Sequence, residues 1–325
     1  MKTMTKYTFL LPAFKGRFLG EMLHSIQSQT YTDYKVIVSD DCSPEDLKSI
    51  CEPYLQDARF SYRRNEENMG SKSIVSHWNL LVDMCDTEYL ILASDDDVYE
   101  PNYLAEIDAL VEKYPKVDLF RGRVNMIDEK GEIVEKDMLL EEYQEQLDFL
   151  YYFMGTYTLK CVSNFVYKTS ALKEKGGFFD LPLAWGSDNL TAILLSENGV
   201  GSTQKICFSF RNSGINISTA ISLRIIREKT REIYIYMQNL EPYILSLSSK
   251  INDTRREREL YERIKYLMYK GFCVRKLAEN CEKCAFGDMM RYYKYLKHIG
   301  YFTGKLDRMH FMWSWIRAYK TRRIK

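Results

Sequence analysis

Short apolar runs alternate with helical stretches through the first 120 residues, and acid-rich turns follow two of the runs. Tyr7–Leu11 is the first run, closed by Pro12. Leu19, Met22, Leu23 and Ile26 then recur at helical spacing within Phe18–Gln29. Tyr34–Val38 predicts a second strand, followed by Ser39-Asp40-Asp41-Cys42-Ser43. Pro44 suits the first turn of a helix through Leu47 and Ile50. Arg59–Arg63 reads as a short strand, Gly70–Asp83 as a helix, and Glu88–Ala93 as a strand running into Ser94-Asp95-Asp96-Asp97. Pro101 opens a helix to Tyr114, and Val117–Phe120 is a further strand. This alternation predicts an α/β fold with a mostly parallel central sheet flanked by helices. In such sheets ligands sit beyond the carboxyl ends of strands, where both acidic turns fall.

The pattern then loosens. Val124–Ile127 and Glu132–Val134 flank Asp128-Glu129-Lys130-Gly131, the signature of a hairpin turn. Glu141–Phe153 reads as helix and Phe165–Tyr167 as strand. Ser187–Glu197 reads as a helix with Ser187 as its cap and Asp188 in its first turn, and Ile206–Phe210 as a strand. From about Thr219 nearly everything is helical, with Pro242 expected to break or kink the chain between Ile221–Leu240 and the next piece. A boundary is expected near residue 218.

Hydrophobic residues at 46% and charged residues at 28% exclude disordered and low-complexity classes. No apolar run approaches the roughly 20 residues that span a bilayer, and the start reads as a strand, not a signal peptide. The overall charge of +1 hides an asymmetry: residues 251–325 carry a net +11 and the remainder −10. Residues 291–325 hold ten Lys/Arg against one Asp, with Tyr, Phe and Trp interleaved. Phe311, Met312, Trp315 and Ile316 fall near one side of a helix, which suits an anionic membrane surface or packing on the domain. No nucleic-acid module accompanies these charges, and no nucleic acid is expected as a partner. The eight cysteines read as free thiols. A zinc site at Cys281 and Cys284, with Cys273 upstream, lacks a well-spaced fourth ligand.

Three adjacent carboxylates at Asp95, Asp96 and Asp97 repel one another, and a divalent cation held by oxygens offsets that repulsion. The alternative is a solvated acidic turn. Asp40 and Asp41 can accept hydrogen bonds from a base or ribose edge, or cap a helix, although Ser43 before Pro44 can already do that. His77, within an apolar helix, reads as a satisfied core histidine. Trp185 suits either a sugar face or the core.

Leu11-Pro12-Ala13-Phe14, Ser25-Ile26-Gln27-Ser28-Gln29-Thr30, Val38-Ser39-Asp40-Asp41-Cys42-Ser43, Asn68-Met69-Gly70 and Ile91-Leu92-Ala93-Ser94-Asp95-Asp96-Asp97 with Pro101 stand in a fixed order. Together they resemble the nucleotide-sugar-dependent glycosyltransferases of family 2, with the GT-A fold, over residues 7–110. Gly177-Phe178-Phe179-Asp180, Trp185-Gly186-Ser187-Asp188 and Phe210-Arg211 with Asn216-Ile217-Ser218 are looser matches. The resemblance implies an inverting transferase of a hexosyl or N-acetylhexosaminyl group, with a nucleoside diphosphate sugar donor (UDP-sugar favoured). The implied acceptor is a saccharide or polyprenyl-linked saccharide in cell-surface polysaccharide synthesis, at the cytoplasmic face of the membrane. It implies donor contacts from Pro12, Ala13, Phe14, Asp40, Asp41, Asp95 and Arg211, the last on the diphosphate. Mn²⁺ or Mg²⁺ would be held by Asp96, the favoured ligand, and Asp97, and Asp188 would be the catalytic base. Residues 1–218 would be the transferase domain, binding nucleotide with about 1–120 and acceptor with about 121–218, and 219–325 a helical, basic region. Ser94, Ser187 and Ser213 stand where the family commonly has Asp, Glu and His. No Q-x-x-R-W segment of processive synthases is present, which implies single addition. Two other readings stand beside this one: a non-catalytic sugar-nucleotide or glycan binder, and a nucleotidyltransferase whose phosphate loop would be Lys15-Gly16-Arg17.

Overall fold

The computed structural model describes residues 5–213, 223–251, 254–268, 286–298, 308–309, 311–313 and 316. The strands are β1 (Tyr7–Ala13), β2 (Tyr34–Asp40), β3 (Phe60–Arg64), β4 (Tyr89–Leu92), β5 (Val98–Tyr99), β6 (Leu119–Ile127), β7 (Ile133–Lys136), β8 (Tyr143–Gln144), β9 (Phe165–Lys168) and β10 (Val200–Arg211). The helices are α1 (Leu19–Gln27), α2 (Leu47–Cys51), α3 (Ile74–Met84), α4 (Tyr103–Lys113), α5 (Gln146–Met154), α6 (Thr169–Glu174), α7 (Ser187–Leu195), α8 (Leu223–Ser246), α9 (Arg255–Leu267) and α10 (Phe286–His298).

One sheet runs β3-β2-β1-β4-β9-β6-β10-β5, with β7 added on β6 and β8 on β10. β3, β2, β1 and β4 are parallel, as are β6 and β10, and β9 is antiparallel to both β4 and β6. Alternation along the strands sends Phe9, Leu11, Val36, Val38 and Ile91 into one cluster with Leu19, Met22, Leu23 and Ile26 of α1 and Leu104 and Ile107 of α4. The opposite face carries Ser39, bonded to His77 of α3.

The chain divides into two compact units. The first comprises Met1–Phe149, Tyr157–Asp180 and Ser187–Ile215, and holds the sheet. The second comprises Leu150–Thr156, Leu181–Gly186 and Asn216–Lys325. Within the second, α8 buries Glu232, whose Oε1 accepts from the amides of Leu183 and Trp185. Burial pushes this carboxyl up to about 7. No helix among the described residues is long and apolar enough to cross a membrane.

Several local expectations are corrected. Pro12 does not end β1. Leu10 accepts from Ala93 on the β4 side and Ala13 accepts from Asp41 on the β2 side. Peptide groups alternate along a strand, so Pro12 faces the β4 side, beyond the end of β4 at Leu92, and no ladder bond is lost. α2 starts at Leu47, not near Pro44, because Asp46 caps it by accepting from the Ser49 amide. Val117–Phe120 and Val124–Ile127 lie largely within one continuous strand, β6. The stretch read as one helix from Glu141 divides into β8 and α5. α8 continues through Pro242: proline carries a helical φ, and the helix bears the lost amide bond and the clash of the ring with the carbonyl four residues back. The expected boundary near 218, the Asn216-Ile217-Ser218 match, and Cys273, Cys281 and Cys284 lie outside the described residues.

Candidate active site

The carboxyl ends of β1, β2 and β4 form the floor of the site. β4 ends at Leu92 and β5 begins at Val98, on the far side of the sheet beside β10. The acidic loop between them is therefore held by strands at both ends. Asp95 Oδ2 accepts from the amides of Phe14 and Lys15 at 3.0 and 2.8 Å, fastening this loop to the one after β1. Burial raises the Asp95 carboxyl, and those two amides oppose the rise. Asp96 Oδ1 accepts from the Ser94 hydroxyl at 2.9 Å. Asp97 Oδ1 accepts from the Arg211 amide at 3.0 Å, while its buried Oδ2 has no close hydrogen-bond partner among the described residues, with the Ser163 hydroxyl near enough to hold the carboxyl's pKa down. Burial first, and the Asp96 charge second, raise Asp97 well above the usual carboxylate range.

The segment Ser25–Thr30 holds the connection from β5 into α4. Gln29 Nε2 donates to the Glu100 carbonyl at 2.7 Å and its Oε1 accepts from the Leu104 amide at 2.9 Å. The Thr30 amide donates to the Pro101 carbonyl at 2.8 Å. These motif residues fasten the end of α1 to the segment that follows β5.

Asp40 and Asp41 follow β2. Asp40 is fully buried: Oδ1 accepts from the Ser43 amide at 2.8 Å, and Oδ2 from Tyr62 and Arg64, both at 2.5 Å. Cys42 takes a left-handed φ of 54° in this turn. Ser43 does not cap a helix. Its hydroxyl donates to the Phe14 carbonyl at 2.6 Å and accepts from the Glu45 amide. Asp41 Oδ1 accepts from Asn65 Nδ2 at 2.8 Å and the Met69 amide at 2.9 Å, and Oδ2 from the Gly70 amide at 2.7 Å. The Asn68-Met69-Gly70 turn thus wraps this carboxylate, and a Cβ at Gly70 would stand 2.9 Å from Asp41 Oδ2. His77 is buried, with Nε2 2.9 Å from Ser39 Oγ and Nδ1 3.6 Å from Asp41, and burial lowers its pKa.

Of the remaining expected donor contacts, Pro12 is half-buried, Ala13 is buried and Phe14 is exposed at the lip. Arg211 is only 1% exposed. Its donors turn toward its own chain: Nε to the Asp96 carbonyl at 2.9 Å and Nη2 to Glu21 Oε1 at 2.6 Å. Asp188 stands half-buried in the first turn of α7, and burial pushes its carboxyl up to about 6 against the Asn189 amide and the Lys160 charge. Trp185 is half-buried, and Lys229 lies over its ring. In the Lys15-Gly16-Arg17 loop the first two amides are taken by carboxylates of the protein, which speaks against a phosphate cradle. The Lys15 amide takes Asp95, the Gly16 amide takes Glu45, and Arg17 pairs with Glu129.

Among the described residues no three His, Cys, Asp or Glu side chains converge as a metal cage. Asp96 and Asp97 fit a cation of the magnesium type, which takes one or two carboxylates and completes its shell with substrate phosphates. The unpartnered Asp97 Oδ2 is consistent with that. Glu21, Tyr62, Arg64 and Asn65 escaped the sequence reading, although Arg64 and Asn65 stand at the carboxyl end of a parallel strand, where the rule applied to Asp40 would have found them.

The family model for glycosyl transferase family 2 matches residues 8–175. The chain is 23% identical over 224 residues to the poly(ribitol-phosphate) beta-N-acetylglucosaminyltransferase TarS of Staphylococcus aureus, across 67% of this chain and 38% of TarS. It is 29% identical over 130 residues to an uncharacterized glycosyltransferase of Methanocaldococcus jannaschii, across 39% of this chain and 43% of that protein. The match thus spans less than half the length of these curated relatives. The crystal structure of S. aureus TarS 1–349 with UDP-GlcNAc superposes with a TM-score of 0.59 at 17% identity, covering 98% of this chain and 91% of that one. The mannosyltransferase PcManGT of Pyrobaculum calidifontis, in complex with GDP-Man and Mn²⁺, gives 0.51 at 12% identity, covering 97% and 86%. At these identities the structural likeness speaks for the fold: a mostly parallel sheet flanked by helices, of the nucleotide-sugar transferase kind, with a helical C-terminal region.

Proposed function

The chain belongs to glycosyl transferase family 2, and on that premise we propose that it moves a sugar from a nucleoside diphosphate sugar to a hydroxyl of a saccharide or lipid-linked saccharide, inverting the anomeric carbon. One observation carries the reading. The acidic loop 95–97 is fastened by main-chain amides at the carboxyl ends of parallel strands, yet keeps a buried carboxylate oxygen that has no close partner among the described residues. Such a loop suits a ligand that brings its own cation. UDP-GlcNAc bound to TarS, similar in fold, supports a UDP-sugar and a hexosyl or N-acetylhexosaminyl group.

In this reading Asp96, with Asp97, holds Mn²⁺ or Mg²⁺, which supplies positive charge for the departing diphosphate. Asp95, by drawing in the amides of Phe14 and Lys15, keeps the loop after β1 at the ribose side. Asp41 has lone pairs left for the base beyond the three donors it already accepts. Asp188 takes the proton from the acceptor hydroxyl as its oxygen bonds the anomeric carbon and the bond to the diphosphate breaks, the electron pair leaving with the phosphate. A carboxyl pushed to about 6 is well placed for a general base near neutral pH.

The C-terminal region supports a membrane-side acceptor. Met309, Met312, Trp313 and Ile316 are exposed while Phe311 is buried, and residues 251–325 carry +11. Apolar side chains among basic ones suit the surface of an anionic leaflet, at the cytoplasmic face.

The test is turnover. The protein is incubated with UDP-, GDP- and dTDP-sugars, with Mn²⁺ or with EDTA, and released nucleotide is measured with and without saccharide acceptors. Cation-dependent release from one donor, stimulated by acceptor, is expected. Donor binding without release under any condition would support the non-catalytic alternative instead.

A further inference from the structure

Arg211 closes β10 and heads the fully buried side chains by size. A buried guanidinium is costly to desolvate unless its donors find acceptors. Nε donates to the Asp96 carbonyl at 2.9 Å, Nη1 lies 3.4 and 3.5 Å from the carbonyls of Asp128 and Glu129, and Nη2 donates to Glu21 Oε1 at 2.6 Å. The Arg211 main-chain amide donates to Asp97 Oδ1 at 3.0 Å. The guanidinium lies over the Phe18 ring, 4.3 Å from its centroid. One residue therefore grips two successive members of the acidic loop and ties them to α1 and to the turn between β6 and β7.

We infer that Arg211 is a positioning residue for the Asp96 carboxylate, fixing the main-chain course of Asp96 and Asp97 from behind, and that it does not touch the donor diphosphate. This rests on the glycosyltransferase reading, which gives Asp96 a cation to meet. The planar fork is what makes the arrangement work. Nε and the two Nη groups diverge toward three separate elements, and a lysine, a point charge on a flexible stem, cannot reproduce those directions. Glu21 is the counter-charge. Its side chain is 53% exposed while that of Arg211 is 2% exposed, so the pair anchors a buried cation from the protein surface.

Calorimetric titration of UDP into the full chain, with saturating Mn²⁺ and with EDTA, separates the outcomes. Wild type reports on the underlying reading: equal UDP affinity in both buffers overturns that reading and this inference together. With Mn²⁺-dependent binding in wild type, Arg211→Lys is expected to weaken UDP binding about 10- to 100-fold in Mn²⁺, the range seen when a residue supporting a metal ligand is lost. Affinity in EDTA should be unchanged. A direct diphosphate contact predicts the same loss in both buffers. That outcome, or no loss in either, overturns the inference and leaves the transferase reading standing. Thermal melting checks that the variant folds. If it does not, Glu21→Gln carries the test, because it keeps the shape of a half-exposed side chain and removes the counter-charge. Weakened UDP binding confined to the Mn²⁺ buffer is expected, and unaltered binding there overturns the inference.

Discussion

Asp188 carries two pH-dependent consequences that can be separated. As a general base it must be ionised, so turnover should rise with pH through about 6 and level off above it. Asp188→Asn is nearly isosteric and cannot take a proton. It should lower the initial rate of glycoside formation about 10²- to 10⁴-fold with donor affinity retained. A variant keeping more than about a tenth of wild-type turnover would make Asp188 a structural carboxylate. Stability runs the other way. Its pKa in the folded chain lies above the ordinary value near 3.9, so the proton binds the folded state more tightly. The stability this contributes is full below about pH 4 and is lost as pH rises through about 6. Melting temperatures should therefore favour Asp188→Asn over wild type at pH 7.5 and not at pH 4. Asp188 and the acidic loop were legible in the sequence because their signals are local: a short motif, a strand end, the first turn of a helix. The partners of Arg211 within the chain were not legible. Its counter-charge Glu21 lies 190 positions away, and no spacing rule joins them.

At the level of elements, the turn Asn68–Gly70 shows why one position is glycine. The Gly70 amide donates to Asp41 Oδ2, and an added methyl group would sit 2.9 Å from that oxygen. Gly70→Ala must push either the turn or the carboxylate aside. Overpacking of this kind costs about 1–3 kcal/mol, and denaturant melts should show a loss in that range. UDP affinity should fall with it, because Asp41 is displaced; unchanged stability and affinity would mean that the turn absorbs the methyl freely. The alternating strands and helices of the first half were legible because each segment is periodic and punctuated by proline, glycine or acid. Pro12 was misread because its effect depends on which neighbouring strand its missing amide would face, and that is fixed by the end of β4, eighty residues later. α8 was misread for a related reason. Pro242 costs a hydrogen bond and a ring clash with the preceding turn, which a helix of 24 residues supported elsewhere tolerates.

For the whole molecule, the charge division gives a direct test. Removing residues 306–325 should weaken co-sedimentation with anionic vesicles at low salt and spare hydrolysis of a soluble donor. Equal binding by both forms would count against a membrane role for this segment. The architecture also has a consequence for how the chain is made. β10 lies between β6 and β5, and it comes from the last stretch of the first unit, residues 187–215. Until about 211 residues have left the ribosome, β5 has no strand partner and β6 lacks its parallel neighbour. A nascent or prematurely terminated chain ending before residue 200 therefore carries open sheet edges, the surfaces on which chains aggregate. The N-terminal nucleotide half should fail as a minimal soluble fragment, and translation past β10 should be the step at which the emerging polypeptide becomes protease-resistant.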